Sequence, residues 1–212
     1  ARRILVNSAY MQKAVAHIYG VEPHVSYHGT DAELFRPLSL EKQHSVLSVG
    51  SLTPLKGFDF LIEAIAKIPQ PQRPILNIAS NFQNPPERDY LLSLAEKLSV
   101  KTNLLGSISD QSLVELYNRA SVAVYAPIRE PFGLVPLESM ACETPVVAVA
   151  EGGIQETILD GQTGYLTERD PAAFAGAVQS LLADPVRAAE MGKTGRKQVL
   201  KLWTWEAAIQ RL

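Results

Sequence analysis

Cysteine occurs once in the 212-residue chain, at Cys142, so no internal disulfide can form, and no group of Cys and His has the spacing of a zinc site. A reducing, cytoplasmic setting is the expectation. An excess of either charge is also missing: 20 Lys and Arg against 22 Asp and Glu leave a net charge of −2. That balance gives no general attraction to nucleic acid or an anionic membrane. Long apolar runs are lacking too, the longest lying around residues 145–150, far short of the ~20 residues that span a bilayer. No signal peptide is visible, and Ala1 reads as a cut end. Internal repeats, heptads and low-complexity tracts are absent. What remains, 46% apolar and 20% charged residues, is an ordinary globular composition of a length that suits one domain.

The positive signal is an alternation of short β-branched runs with helical patterns. Strands are expected at 4–6, 46–49, 75–79, 103–105, 122–125 and 146–149, with a further one at 25–27. Each is a near-continuous apolar run, as strands covered on both faces require. Helices are expected at 9–19, 58–68, 87–98, 110–119, 136–141 and 155–159, and after Leu166 the pattern becomes wholly helical: 172–182, 185–200 and 205 onward. Ser109 and Asp170 stand where helix caps belong, and Pro171 suits a first turn. The prolines of 70–74 and 83–86 read as loops. Strand–helix–strand alternation predicts an α/β fold, a Rossmann-like parallel sheet flanked by helices, with a helical C-terminal tail. Such sheets bind ligands at the carboxyl ends of their strands.

Four strand ends carry candidate chemistry. The run 50–57 brings Ser51 and then Lys56 beside a glycine at a helix start, suited to an anion or to a plain turn. The run Glu130-Pro131-Phe132-Gly133-Leu134-Val135-Pro136-Leu137-Glu138 combines a loop carboxylate, a helix entrance with free N–H groups at Gly133 and Leu134, and a second carboxylate in the first helical turn. Carboxylates accept pairs of sugar hydroxyls well; equally, Glu138 could complement the helix dipole and Glu130 be solvated. Gly152-Gly153 allow close backbone approach and offer N–H donors, or make a tight turn. Gly106-Ser107-Ile108 could pair its backbone with a nucleobase edge. No Ser/His/Asp or Cys/His nucleophilic set appears, and His28, after the 25–27 strand, reads as structural.

These segments, in this order and over nearly the whole chain, resemble the retaining glycosyltransferases of family 4, in the C-terminal donor-binding half of their GT-B fold. His28-Gly29-Thr30-Asp31 with Phe35 is similar to the family's NGVD…F stretch. Residues 49–57 are similar to its glycine–lysine loop, and 130–147 to its long Glu-x7-Glu segment. Residues 152–166 match its double-glycine stretch, and Trp203-Thr204-Trp205-Glu206 the opening of its cross-over helix. The resemblance implies a UDP- or GDP-sugar donor and no bound metal or other cofactor. It implies that Glu138 binds the ribose, and that Glu130 sits at the donor sugar. Phe132, Gly133 and Leu134 then offer backbone contacts, Lys56 neutralises the leaving diphosphate, Gly106 and Ile108 lie near the base, and Gly153 lies near the phosphates or sugar.

The resemblance also implies that residues 2–8 begin an inter-domain connection, that 200–212 start the cross-over helix, and that an acceptor-binding N-terminal domain is missing. Any peripheral membrane contact would belong to that missing half. Three positions in particular depart from the pattern. Ser51 stands where the family has an arginine, with Arg129 as a candidate substitute; Gln155 replaces a proline, and Glu143 a glycine. A non-catalytic sugar-nucleotide-binding module and a sugar-nucleotide epimerase are the alternatives.

Overall fold

The computed structural model describes residues 3–82 and 84–211. Ala1, Arg2, Gln83 and Leu212 lie outside the described residues, and with them the start of the expected 2–8 connection, one residue of the 83–86 loop and the end of the tail.

Six strands form one wholly parallel sheet: β3 (Gln43–Val49), β4 (Ile75–Ser80), β5 (Thr102–Gly106), β6 (Ala120–Tyr125), β7 (Val146–Val149) and β8 (Gly164–Thr167), in the order β5-β4-β3-β6-β7-β8. Two short strands, β1 (Leu5–Val6) and β2 (His24–Val25), pair separately, also in parallel. Val46, Leu47, Leu76, Ile78, Val122, Val124, Val146 and Val147 have essentially no exposed surface, because helices cover both faces of the sheet. The α/β parallel sheet flanked by helices is therefore as the apolar runs require.

On one face lie α2 (Phe58–Lys67), α3 (Pro85–Lys97) and α6 (Pro171–Ala183). The buried side of α2 carries Phe58, Leu61, Ile62 and Ile65 at helical spacing; each contributes roughly 1.5–3 kcal/mol by leaving water. The other face is covered by α4 (Asp110–Arg119), α5 (Leu134–Ala141) and α7 (Pro185–Leu202). Ser109 caps α4 by accepting the Ser112 N–H, and Asp170 caps α6 by accepting the Ala173 N–H. The remaining helices are α1 (Ala9–Tyr19) and α8 (Trp205–Gln210), and the segments beside them meet. Thr30 N–H donates to the Trp203 carbonyl, and a Cβ on Gly29 would collide with the Thr204–Trp205 backbone. Among the described residues no helix is long and apolar enough to cross a membrane.

Three expectations need correction. Residues 155–159 are not an α-helix; a 3-10 turn runs over Gly152–Glu156, since the double glycine is pinned against the 130–131 backbone. No strand is expected at Gly164–Thr167, yet β8 lies there, a partly exposed edge strand whose alternation is too short to register, and the wholly helical stretch follows it as expected. The prolines of 83–86 do not mark a loop throughout, because Pro85 and Pro86 open α3, where a missing N–H costs nothing.

Candidate functional site

The chain adds β4 and β5 to one side of β3, then returns to add β6, β7 and β8 on the other. At such a reversal the loops leaving the two central strands diverge and open a crevice. The loops after β3 and β6 carry Lys56 and Glu130. Lys56 Nζ donates to Glu130 Oε2 at 2.7 Å across this crevice, with both side chains partly open to solvent.

Backbone geometry fixes the pair. Gly57 sits at φ 64, and a Cβ there would overlap the Ala126 carbonyl oxygen, so only glycine lets the Lys56 loop lie against the end of β6. The Lys56 stem in turn passes over Gly50, 3.4 Å from where a Cβ would be. Across the crevice, Arg169 holds the root of the Glu130 loop. Its guanidinium donates to the carbonyls of Ala126 and Pro127, each at 3.0 Å, and to both oxygens of Glu151. The Arg169 hydrogen bond, ahead of other causes, holds the Glu151 carboxyl below its ordinary range. Gly152 and Gly153 press on the other side of the loop, the Gly153 N–H donating to the Glu130 carbonyl at 2.8 Å. That donor is spent inside the protein; Gly153 serves by close approach.

Glu138 lies one turn further into α5 than the sequence suggests, because the helix starts at Leu134 with Gly133 as its cap. No acidic side chain occupies its first turn, which removes the dipole-matching reading of Glu138. Instead the buried Tyr117 hydroxyl donates to Glu138 Oε2 at 2.8 Å. Burial raises the Glu138 carboxyl above its usual value, against the lowering effect of that hydrogen bond. Tyr125, at the end of β6, feels both carboxylates. Burial first, then the charge and hydrogen bond of Glu130 and the charge of Glu138, hold its hydroxyl well above the ordinary value. Ahead of α5, no protein acceptor among the described residues takes the N–H groups of Gly133 or Leu134. The Phe132 ring is buried against Tyr27, His28 and Trp203, leaving only its backbone to face the crevice.

Beside this centre is a cavity of about 280 Å³ at the ends of β3 and β4, lined by Gly50, Ser51, Asn81, Phe82, Ile108 and Asp110 among others. Gly106 ends β5 beside it, in register with Ser80. The Ile108 backbone is already occupied, since its N–H donates to Asn81 Oδ1 (2.9 Å) and its carbonyl accepts from Asn81 Nδ2 (3.1 Å). The Asn81 amide thus holds the edge that a nucleobase would use. Arg129 does not line this cavity; it lines a different one, of about 560 Å³, with Tyr10, Ile128, Glu151, Gln155 and Arg169. Of the residues the sequence points to, Lys56 and Glu130 meet, Gly133, Leu134 and Glu138 share α5 and its cap, and Ser51 lines the cavity at the ends of β3 and β4. Tyr117, Tyr125, Asn81 and Arg169 were not anticipated; Tyr117 is buried on α4 and Tyr125 on β6, whereas Asn81 and Arg169 lie in loops that carry no local signal.

Residues 30–198 match the family model described as "Glycosyl transferases group 1". D-inositol 3-phosphate glycosyltransferase 1 of Catenulispora acidiphila is 30% identical over all of this chain and 56% of its own length. The enzyme of the same name from Acidothermus cellulolyticus is 33% identical over 99% of this chain and 52% of its own. The chain thus spans about half the length of the curated relatives it matches. Among solved structures, sucrose-phosphate synthase from Thermosynechococcus elongatus superposes with a TM-score of 0.89 at 32% identity, over 99% of this chain and 56% of that one. Anabaena HepE in complex with UDP and glucose gives 0.91 at 22% identity, over 100% of this chain and 62% of that one, a likeness of fold. With a family model covering most of its length and the parallel sheet and crevice described above, the chain belongs to the group 1 glycosyl transferases.

Proposed function

We propose that this chain is the donor-binding half of a retaining glycosyltransferase that moves a hexose from a UDP- or GDP-sugar, with the acceptor bound by another part of the whole protein. The observation that carries the reading is the Lys56–Glu130 pair at the switch point with Glu138 held by Tyr117 one helix turn away. The solved HepE complexes contain UDP, glucose and UDP-glucose, which supports uridine over guanosine.

In this reading the Glu138 carboxylate accepts the two ribose hydroxyls, and the diphosphate meets the N–H groups of Gly133 and Leu134 at the mouth of α5. Lys56 leaves Glu130 for the diphosphate as the sugar bond breaks, neutralising the charge that develops on the leaving oxygen. Glu130, released, accepts hydroxyls of the donor sugar. Lysine and helix N–H groups carry the charge role, so transfer proceeds without a bound metal. Calorimetric titration of UDP, GDP and ADP, with Glu138→Ala as the control, tests the reading. UDP binding that weakens at least tenfold in the variant supports it; failure of all three to bind at millimolar concentration ends it.

A second reading rests on Ser51. Among the described residues lining the 280 Å³ cavity there is no cation, so the diphosphate would be one charge short, as in a sugar-nucleotide-binding module without turnover. Donor hydrolysis or transfer by the whole protein would exclude that module.

A further inference from the structure

A second cavity lies at the opposite end of the sheet, where β3, β6 and β7 begin, closed by the end of α6 and the start of α7. It holds about 190 Å³, roughly six waters at the ~30 Å³ that each takes in the liquid, or one small organic molecule. Its wall is mostly apolar, with Leu38, Leu40, Leu181, Pro185 and Ala188 among the lining residues.

One cation reaches into this wall. The stem of Lys42 is exposed, but its Nζ is tucked inward, donating to the Ala120 carbonyl (2.9 Å) and to the hydroxyl of the buried Thr144 (2.7 Å). An ammonium has three donors, so one is left over. No carboxylate among the described residues comes within ion-pair distance of it. Loss of water brings the Lys42 amine down from 10.5 to about 8, against the opposing effects of Cys142 and Glu143.

The other charged and titratable groups around the chamber are few. Lys193 faces it from α7 and Glu143 from the turn before β7. Cys142 lines it from the end of α5, its thiol pushed up by burial to about 12 and so uncharged at neutral pH. Arg196, on α7, is engaged by the carbonyls of Phe35 and Ala141. The lining thus carries two cations and one anion around an apolar space. A chamber of this kind is complementary to a short anion with an apolar body: the head group supplies the partner that Lys42 lacks, and the body displaces water from the apolar wall.

We propose that this cavity is a second ligand site, remote from the donor crevice, which takes a small carboxylate with an apolar body and holds it by Lys42. The site does not depend on the donor-binding reading, since no nucleotide takes part.

NMR titration of the chain with benzoate, and with benzyl alcohol as the uncharged counterpart, tests it. Benzoate should shift the amides of Leu181, Ala188 and Thr144 and bind at least tenfold more tightly than the alcohol. With the amine at about 8, the charged form that binds dominates up to about pH 7, so affinity is flat below that and should fall about tenfold between pH 7 and pH 9. Lys42→Met should remove both the preference and the pH dependence. Ala189→Trp, at an exposed position of α7 on the cavity mouth, should block both probes while leaving the fold intact. No binding at millimolar benzoate, equal binding of the alcohol, or unchanged benzoate binding by Lys42→Met would each overturn the proposal.

Discussion

Glu138 shows how one side chain can be poor for folding and good for binding. Its carboxyl is raised by burial and steadied by the Tyr117 hydroxyl, which a neutral amide can also accept from. A folded-state value above the unfolded one means that its contribution to stability is full at acid pH and fades as pH rises through the folded value. Glu138→Gln should therefore fold at least as stably as the wild type at pH 7 and lose this part of the pH dependence, as read by urea unfolding at pH 4.5 and pH 7.5. The same variant loses a charged acceptor of the proposed ribose contact, worth roughly 1.5–3 kcal/mol, so UDP affinity should fall at least tenfold. A variant that is less stable and still binds UDP normally would assign Glu138 to the core.

At the scale of elements, two turn positions have opposite fortunes. Gly57 combines φ 64 with contact against the Ala126 carbonyl, so Gly57→Ala incurs both left-handed strain and overpacking. The cost should exceed about 2 kcal/mol and appear as a lower unfolding midpoint at unchanged slope. Glu143 adopts φ 57 without being glycine. Relief of that strain, ~1–2 kcal/mol, less the ~0.5–1 kcal/mol entropy of glycine, predicts that Glu143→Gly stabilises by roughly 0.5–1 kcal/mol. Thermal unfolding measures both. The glycine that the resemblance expects at 143 anticipated this conformation, and the buried strands announced themselves because each is apolar on both faces. Edge strand β8, with Tyr165, Leu166 and Thr167 only half covered, left no such trace, and the 3-10 turn at Gly152–Glu156 showed only in its paired glycines. Their conformations are set by neighbours distant in sequence. The site was legible in the same uneven way: Lys56 and Glu130 could be assigned to strand ends, but their 2.7 Å contact depends on strand order, which no local pattern encodes. Asn81 on the Ile108 backbone, and Arg169 beneath the Glu130 loop, are equally products of the assembled sheet.

For the molecule as a whole, the charge around the crevice decides what it can hold. Lys56 is paired with Glu130, and Arg129 lines another cavity. A diphosphate entering beside Ser51 therefore meets helix N–H groups and one lysine that must first leave its partner. Ser51 lines the 280 Å³ cavity next to Gly50, and is partly exposed, so a longer side chain has room to extend. Ser51→Arg would place a second, permanent cation five residues before Lys56 at the same strand end. One charge-assisted contact of roughly 1.5–3 kcal/mol corresponds to a tenfold or greater gain in UDP affinity. Uridine, which lacks the diphosphate, should gain nothing, and the UDP gain should shrink as salt rises from 0.05 to 0.5 M because the contact is solvent-reached. Parallel calorimetric titrations of UDP and uridine measure the difference directly. Equal changes for both ligands, or none for UDP, would mean that the diphosphate does not pass position 51, and the proposed orientation of the donor along the crevice would have to be reversed.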